Sequence, residues 1–277
     1  MSDRVLISAV IITYNEEGRI ADCIESVHDW CEEVLILDSF STDRTREIAE
    51  KYEHVRFLEH DFDGHVQQKN RAIELSRGQW VFCLDADERA TPELAESIRK
   101  FVQADKTSAA RVKRLTYHLG RYIRHGGWYN ARYRLMKRDA GRWGGDNPHD
   151  TIILSSQSEW KSRRGPVLKG DLIHYSFVDL SDQIDTINKF SSIVAFTRAG
   201  RGRSPSVFKM LFKPLNKFVE MYFVKRGFLD GVPGFVIAIA SSFSTFLKWA
   251  KLYELKKTPV SRPSNLRKDY QVQTDGE

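Results

Sequence analysis

Cysteine is scarce in this chain. There are three, Cys23, Cys31 and Cys83, an odd number that lacks the paired spacing of a metal knuckle or a disulfide framework. Cys23 and Cys83 sit in apolar patterns typical of buried thiols, so a reduced, cytoplasmic setting is expected. Proline is rare too, 8 in 277 residues, and neither a low-complexity tract nor an internal repeat is visible; with this composition a disordered protein is excluded. The first residues lack the basic segment, apolar core and small-residue cleavage site of a secretory leader, and residues 5–13 read as a strand instead, so the chain is expected to stay inside the cell. The longest uncharged stretch, residues 231–247, falls short of the roughly 20 residues that cross a bilayer. It also carries four serines or threonines and reads as a poor spanning helix.

What is present supports a globular protein. Hydrophobic residues make up 41% and aromatics 12% of the sequence, enough apolar surface to offset the entropy of ordering. The formal net charge is +6 and the isoelectric point about 9.1, which favours an anionic partner: a nucleotide, a nucleic acid or an acidic lipid surface. The lysines and arginines are scattered and no nucleic-acid reading motif accompanies them, so nucleic acid is not expected.

The first hundred residues alternate strand and helix signals. Residues 5–13 form a nearly continuous β-branched run, as in a strand covered on both faces. Residues 17–30 then place Ile20, Ile24 and Val27 on one helical stripe. Strands follow at 34–37, 55–58 and 80–84, and helices at 44–52, 65–76 and from Thr91. Ser41, Thr42 and Asp43 offer capping oxygens for the second helix, Gly78 suits a C-terminal cap of the third, and Pro92 opens the fourth. Such alternation implies an α/β fold with a mostly parallel sheet, flanked by helices and binding its ligand beyond the carboxyl ends of the strands. From Ala109 the pattern changes to strands at 109–119, 132–137 and 151–154 between glycine-rich turns, a mixed-sheet extension. From Leu180 it is mainly helical. The expected organisation is a catalytic domain over 1–178, divided at 105/106 into a nucleotide-sugar half and an acceptor-side half. A helical, amphipathic extension covers 179–258 and a loose tail 259–277.

Asp85-Ala86-Asp87-Glu88 follows the apolar run Val81-Phe82-Cys83-Leu84. On extended backbone alternate side chains point the same way, so Asp85 and Asp87 are expected to face one ligand. A divalent cation held by one or two carboxylates plus substrate phosphates fits that spacing; the plain alternative is a turn and cap before the helix at Thr91.

Together with this motif, Ile11-Ile12-Thr13-Tyr14-Asn15-Glu16-Glu17, Leu37-Asp38-Ser39-Phe40-Ser41-Thr42-Asp43-Arg44-Thr45 and Gln67-Gln68-Lys69-Asn70 resemble the family 2 glycosyltransferases of GT-A fold. The resemblance implies that Thr13, Tyr14, Glu16 and Asp38 line the pocket for base and ribose. Lys69 stands where many relatives carry arginine and would attract the diphosphate. Asp85 would contact ribose or metal and Asp87 the metal, Mg²⁺ or Mn²⁺, directly. Arg124-His125-Gly126-Gly127-Trp128-Tyr129, Asn147-Pro148-His149-Asp150, His174-Tyr175-Ser176-Phe177 and Lys225-Arg226-Gly227-Phe228-Leu229-Asp230-Gly231 resemble the branch that includes lipopolysaccharide core glucosyltransferases of the WaaE type, and extend the likeness to about residue 254. That branch implies a hexose donor such as uridine diphosphate glucose and a heptose acceptor on a lipid-linked glycan. A polyprenyl phosphate acceptor is the alternative.

An inverting transfer needs a base opposite the leaving diphosphate. Asp150 is the candidate, where relatives often carry glutamate, with His149 as its orienting partner or an alternative metal ligand. Trp128 and Tyr129 are candidates for stacking on an acceptor sugar; His174, beside an aromatic, reads as structural or as lining the site. Phe208, Leu211, Phe212, Leu215, Phe218 and Val219 interleave with Lys209, Lys213 and Lys217, a pattern for lying on an anionic membrane or packing on another subunit of a homo-oligomer. A nucleotidyltransferase on a similar sheet is a weak rival, because Thr13-Tyr14-Asn15-Glu16-Glu17 replaces its glycine-rich basic loop.

Overall fold

The computed structural model describes residues 6–145, 150–155 and 165–258. The chain forms two compact units: Met1–Leu115 with Asn130–Tyr175, and Thr116–Tyr129 with Ser176–Glu277.

The first unit is built on strands β1 (Ile7–Thr13), β2 (Glu33–Asp38), β3 (Val55–Glu59) and β4 (Trp80–Asp85). These four are parallel, in the order β3-β2-β1-β4. Every residue of β2 is buried, which is why its sequence shows a continuous apolar run rather than alternation. Helices α1 (Ile20–His28), α2 (Thr45–Ala49), α3 (His65–Leu75) and α4 (Pro92–Ala104) connect and cover them. Ile20, Cys23, Ile24 and Val27 of α1 join Leu94, Ile98 and Val102 of α4 in one core, and Ala72 and Ile73 of α3 lie in another with Val10, Leu35 and Val81. All three cysteines are buried and unbridged.

Beyond β4 the sheet turns antiparallel through β5 (Glu88–Ala90), β6 (Ala109–His118), β8 (Asn130–Lys137) and β11 (Val167–His174), continuing the order as β4-β8-β6-β11-β5. A separate hairpin pairs β9 (Gly141–Gly144) with β10 (Thr151–Leu154). Thr91 caps α4 as expected, accepting a hydrogen bond from Leu94 N with Pro92 in the first turn. One local expectation changes. Gly78 does not cap α3, which ends at Ser76 in extended backbone. Gly78 is required by close approach instead: a Cβ there would lie 2.6 Å from Ser8 Oγ and from Trp80 O. Asp43 supplies its expected oxygen to the start of α2, accepting from Thr45 N at 3.0 Å, and also accepts from Glu17 N at 3.0 Å, tying two loops together.

The second unit contains the last residues of β6 paired with β7 (Arg121–Ile123), then α5 (Leu180–Gly200), α6 (Val207–Val219) and α7 (Gly231–Lys257). A π-helical turn, Glu220–Val224, and a 3-10 turn, Gly227–Asp230, make the corner between α6 and α7. Ile123, Met221, Ile237 and Ala238 form one small core, and Ala195, Trp249 and Leu252 a second. Not one residue of α6 is fully buried; Phe208, Leu211 and Leu215 stand out from it, Phe208 with 68% of its surface exposed. The last helix also departs from expectation. Continuous with the turn that starts at Gly227, it is long and apolar enough to cross a membrane by length and composition, with 33% of its most apolar window buried in the protein. Helical backbone carries through Lys248 and Lys251, past the residues where an uncharged-run criterion stops.

Candidate active site

Strand register brings the first group of residues together. Thr13 pairs with Asp38 across β1 and β2, and Ile12 with Asp85 across β1 and β4, so Thr13, Asp38 and Asp85 all lie at the carboxyl edge of the parallel strands. Asp38 is fully buried and accepts from Thr13 Oγ1 at 2.7 Å, Ser41 Oγ at 2.6 Å and Ser41 N at 2.6 Å. Ser41 Oγ in turn accepts from Asn15 N, and Asn15 Oδ1 from Thr42 N, each at 2.8 Å. Asn15 and Phe40 take left-handed backbone, φ 56° and 57°. Asparagine tolerates that conformation; a phenylalanine does so only where its surroundings hold it. These bonds knit the two loop motifs into one rigid wall, with Tyr14 partly exposed on it.

Charge dominates the next group. Lys69, on α3, is 9% exposed and its Nζ lies 2.9 Å from Asp85 Oδ1 and 2.9 Å from Asp150 Oδ2. The ammonium stands 4.3 Å from the Trp143 ring centroid, a cation–π contact on a third side. Asp85 Oδ2 meets Arg134 Nη2 at 3.2 Å, and the same nitrogen lies 2.7 Å from Oε1 of fully buried Glu88. Burial opposes charge on every member. At Asp85 the cations Lys69 and Arg134 outweigh burial and hold the carboxyl well below its usual range. At Lys69 the two carboxylates outweigh burial and push the ammonium up. Glu88 shows the reverse balance: burial prevails over Arg134 and raises its carboxyl.

Asp85 and Asp87 have different nearest partners, although the charge of His174 bears on both. The backbone turns at Ala86-Asp87, and Glu88 Oε2 accepts from Asp85 N at 3.0 Å. Past the turn the chain enters β5, which pairs antiparallel with β11, His174 opposite Glu88. Asp87 Oδ2 therefore lies 3.2 Å from His174 Nε2, and its carbonyl accepts from Tyr175 N at 2.9 Å. Glu16 belongs to the same corner: burial, then the negative charge of Asp87, raises its carboxyl to about 7 against the lowering effect of Arg19. Among the described residues no three His, Cys, Asp or Glu side chains form a metal cage. One carboxylate and one imidazole nonetheless suit a cation that takes its remaining ligands from a diphosphate.

Trp128 and Tyr129 belong to the second unit. The Trp128 ring packs 6.2 Å from His118 and 6.3 Å from Phe177, and Arg124 lies over Tyr129 at 5.6 Å. His149 lies outside the described residues. Sequence reading missed Arg134, Glu88 and Trp143. The signal for Arg134 was an arginine within a strand whose neighbours Leu135 and Met136 are core residues; for Glu88 it was a third acidic residue beside Asp85 and Asp87.

The model of the family described as "Glycosyl transferase family 2" matches residues 8–160. Over 261 residues the chain is 31% identical to the lipopolysaccharide core biosynthesis glycosyltransferase LpsC of Rhizobium meliloti, covering 92% of this chain and 94% of that protein. An uncharacterized glycosyltransferase of Rickettsia bellii is 29% identical over 276 residues, 96% and 93% of the two chains. The solved structure of S. aureus TarS 1-349 in complex with UDP-GlcNAc aligns with 94% of this chain and 93% of that one at 12% identity and a TM-score of 0.48. With its donor-edge motifs assembled on a mixed sheet flanked by helices, and a family match spanning more than half its length, the chain belongs to glycosyltransferase family 2.

Proposed function

We propose that this glycosyltransferase moves a hexose, glucose, from a uridine diphosphate sugar to a heptose of the lipopolysaccharide inner core, with inversion and with Mg²⁺ or Mn²⁺. One observation carries the reading. Lys69 holds Asp85, from the donor motif, and Asp150, the candidate base, each at 2.9 Å from a single ammonium, so donor-side and acceptor-side carboxylates share one cluster.

In this reading the wall of Thr13, Tyr14, Glu16 and Asp38 receives base and ribose, and Asp85 orients ribose or metal. Asp87 and His174 would hold the cation, which would supply charge neutralisation at the leaving diphosphate. Lys69 Nζ turns from Asp150 toward the incoming diphosphate and leaves Asp150 Oδ2 to accept the proton of the acceptor hydroxyl. The hydroxyl oxygen bonds to the anomeric carbon as the bond to the diphosphate breaks, in a single displacement that inverts the centre. His149 would orient Asp150, and Trp128 and Tyr129 would stack on the acceptor sugar. The likeness to LpsC over nearly the full length of both chains supports the lipopolysaccharide acceptor.

The acceptor would be reached at the inner face of an anionic membrane. Support comes from the exposed apolar side chains of α6, interleaved with Lys209, Lys213 and Lys217, and from the apolar last helix; each basic residue near such a surface contributes about 1 kcal/mol. The test is a panel of sugar nucleotides with Mg²⁺ or Mn²⁺ and heptose-bearing acceptors on anionic vesicles. Metal-dependent, acceptor-dependent release of nucleoside diphosphate from uridine diphosphate glucose is expected. Full turnover in chelator, or transfer only to a polyprenyl phosphate, would overturn the metal or the acceptor part respectively.

A further inference from the structure

Lys225-Arg226-Gly227-Phe228-Leu229-Asp230-Gly231 has no part in the chemistry above, yet it contains a buried acid. Asp230 is 2% exposed. Its carboxylate accepts from Arg124 N at 3.2 and 3.3 Å through its two oxygens, from His125 N at 2.7 Å and from His125 Nδ1 at 3.0 Å. Its carbonyl accepts from Arg121 Nη1 at 3.0 Å, and Lys225 O accepts from Gly126 N at 2.9 Å. All these donors lie within residues 121–126, so a short segment of the second unit is gripped at both ends by a segment a hundred residues later. Burying a carboxylate is costly unless donors surround it, and here the donors are the backbone of one particular loop and its His125 side chain.

The surrounding backbone is shaped to permit this grip. Gly126 and Gly127 are left-handed, φ 66° and 85°, and so is Arg226, at 56°. A Cβ on Gly127 would meet the Lys225 side chain at 2.8 Å, and one on Gly234 would meet Gly227 O at 2.0 Å. The gripped loop runs directly into Trp128 and Tyr129. The gripping corner exposes Phe223, Val224, Phe228, Leu229 and Val232, with Val224 at 72%. Apolar side chains this exposed on consecutive turns fit the acyl boundary of a bilayer.

We propose that Asp230, acting through His125, is a positioning residue: it fixes the loop carrying Trp128 and Tyr129 to the lipid-seated corner between α6 and α7, and so sets where a membrane-borne acceptor sugar is received. This rests on the acceptor and membrane reading above. Asp230 touches neither donor nor acceptor, and its effect is confined to acceptor recognition.

The experiment uses the full-length wild type, Asp230→Asn, His125→Ala and His125→Asn. Transfer is measured from uridine diphosphate glucose to a heptose-bearing lipid acceptor in vesicles of phosphatidylethanolamine and phosphatidylglycerol, 3:1 by design. Hydrogen exchange over residues 121–129 is followed in parallel. Asp230→Asn and His125→Ala should raise the acceptor KM about tenfold to a hundredfold, the span that loss of a charge-assisted hydrogen bond produces. Donor KM and kcat should stay within about twofold, and exchange at 121–129 should accelerate while the parallel strands are unchanged. His125→Asn, whose amide N–H can replace Nδ1–H, should restore both. Faster exchange with an unchanged acceptor KM would show a merely structural contact and overturn the proposal, as would unchanged exchange. If Asp230→Asn does not fold, the His125 pair decides alone. A wild type that transfers nothing to this acceptor would sink the acceptor reading, while exchange still reports on the clamp.

Discussion

Replacing Lys69 by methionine keeps the length of the side chain and removes its charge, leaving Asp85 and Asp150 without the ammonium each approaches at 2.9 Å. Removing one partner of a buried ion pair costs roughly 3–5 kcal/mol. Here Asp85 keeps Arg134 at 3.2 Å and is 28% exposed, so a loss of about 2–4 kcal/mol is expected. At roughly 2–4 °C per kcal/mol for a chain of this size, thermal unfolding should move down by about 5–15 °C. The dependence on pH has a definite sign. Asp85 titrates below its ordinary 3.8 in the folded protein because of Lys69 and Arg134. The Lys69–Asp85 contribution is therefore complete above that value and fades as pH falls through and below it. The deficit of the variant should be largest near neutrality and should shrink in acid. Asp150→Asn in the Lys69→Met background should cost less than the two single losses added together, by at least about 1 kcal/mol. A divalent cation should stabilise Lys69→Met more than the wild type, because it replaces the missing positive charge. The assay is thermal unfolding followed by circular dichroism, with and without Mg²⁺. A shift below about 2 °C, or strict additivity with Asp150→Asn, would refute the bridging role.

Asp150→Asn should retain donor binding, measured by calorimetry with the nucleoside diphosphate, and lose transfer by about 10²–10⁴-fold; wild-type turnover would eliminate it as the base. Asp87→Ala should abolish metal-dependent turnover, and His174→Ala should weaken apparent Mn²⁺ affinity by about 10–100-fold, read from the metal dependence of donor hydrolysis. Glu16 titrates near 7 rather than 4.5 because of burial and Asp87, so its ionised form opposes folding: the cost is absent below 4.5, grows between the two values and is complete above 7. Glu16→Gln should therefore stabilise at pH 8 by about 2 kcal/mol, after reduction for its partial exposure, and leave stability at pH 4 unchanged. Urea unfolding at the two pH values checks it, and equal effects at both would count against the assignment.

The parallel half of the sheet was legible because burial on both faces leaves an unbroken apolar run, as in Val34-Leu35-Ile36-Leu37, and because Ile20, Ile24 and Val27 mark one face of a helix. Local pattern alone reveals both. The charged cluster was legible only in parts. Asp85 announced itself at a strand end, whereas the burial of Lys69 depends on Asp85 and Asp150, 16 and 81 positions away, and no local pattern records such partners. Short strands such as Glu88–Ala90 and Arg121–Ile123 hold too few residues to show a period. The turn at Ala86-Asp87 was equally invisible to local pattern. Glu88 closes that turn by accepting from Asp85 N. Asp85 is contacted by the cations Lys69 and Arg134 and Asp87 by the His174 imidazole, which also acts on Asp85. Two acids one residue apart can thus hold different charge environments, one compensated within the protein and one facing Glu16 with its raised carboxyl. In the proposed function, Asp87 beside the His174 imidazole is where an incoming cation would find its carboxylate.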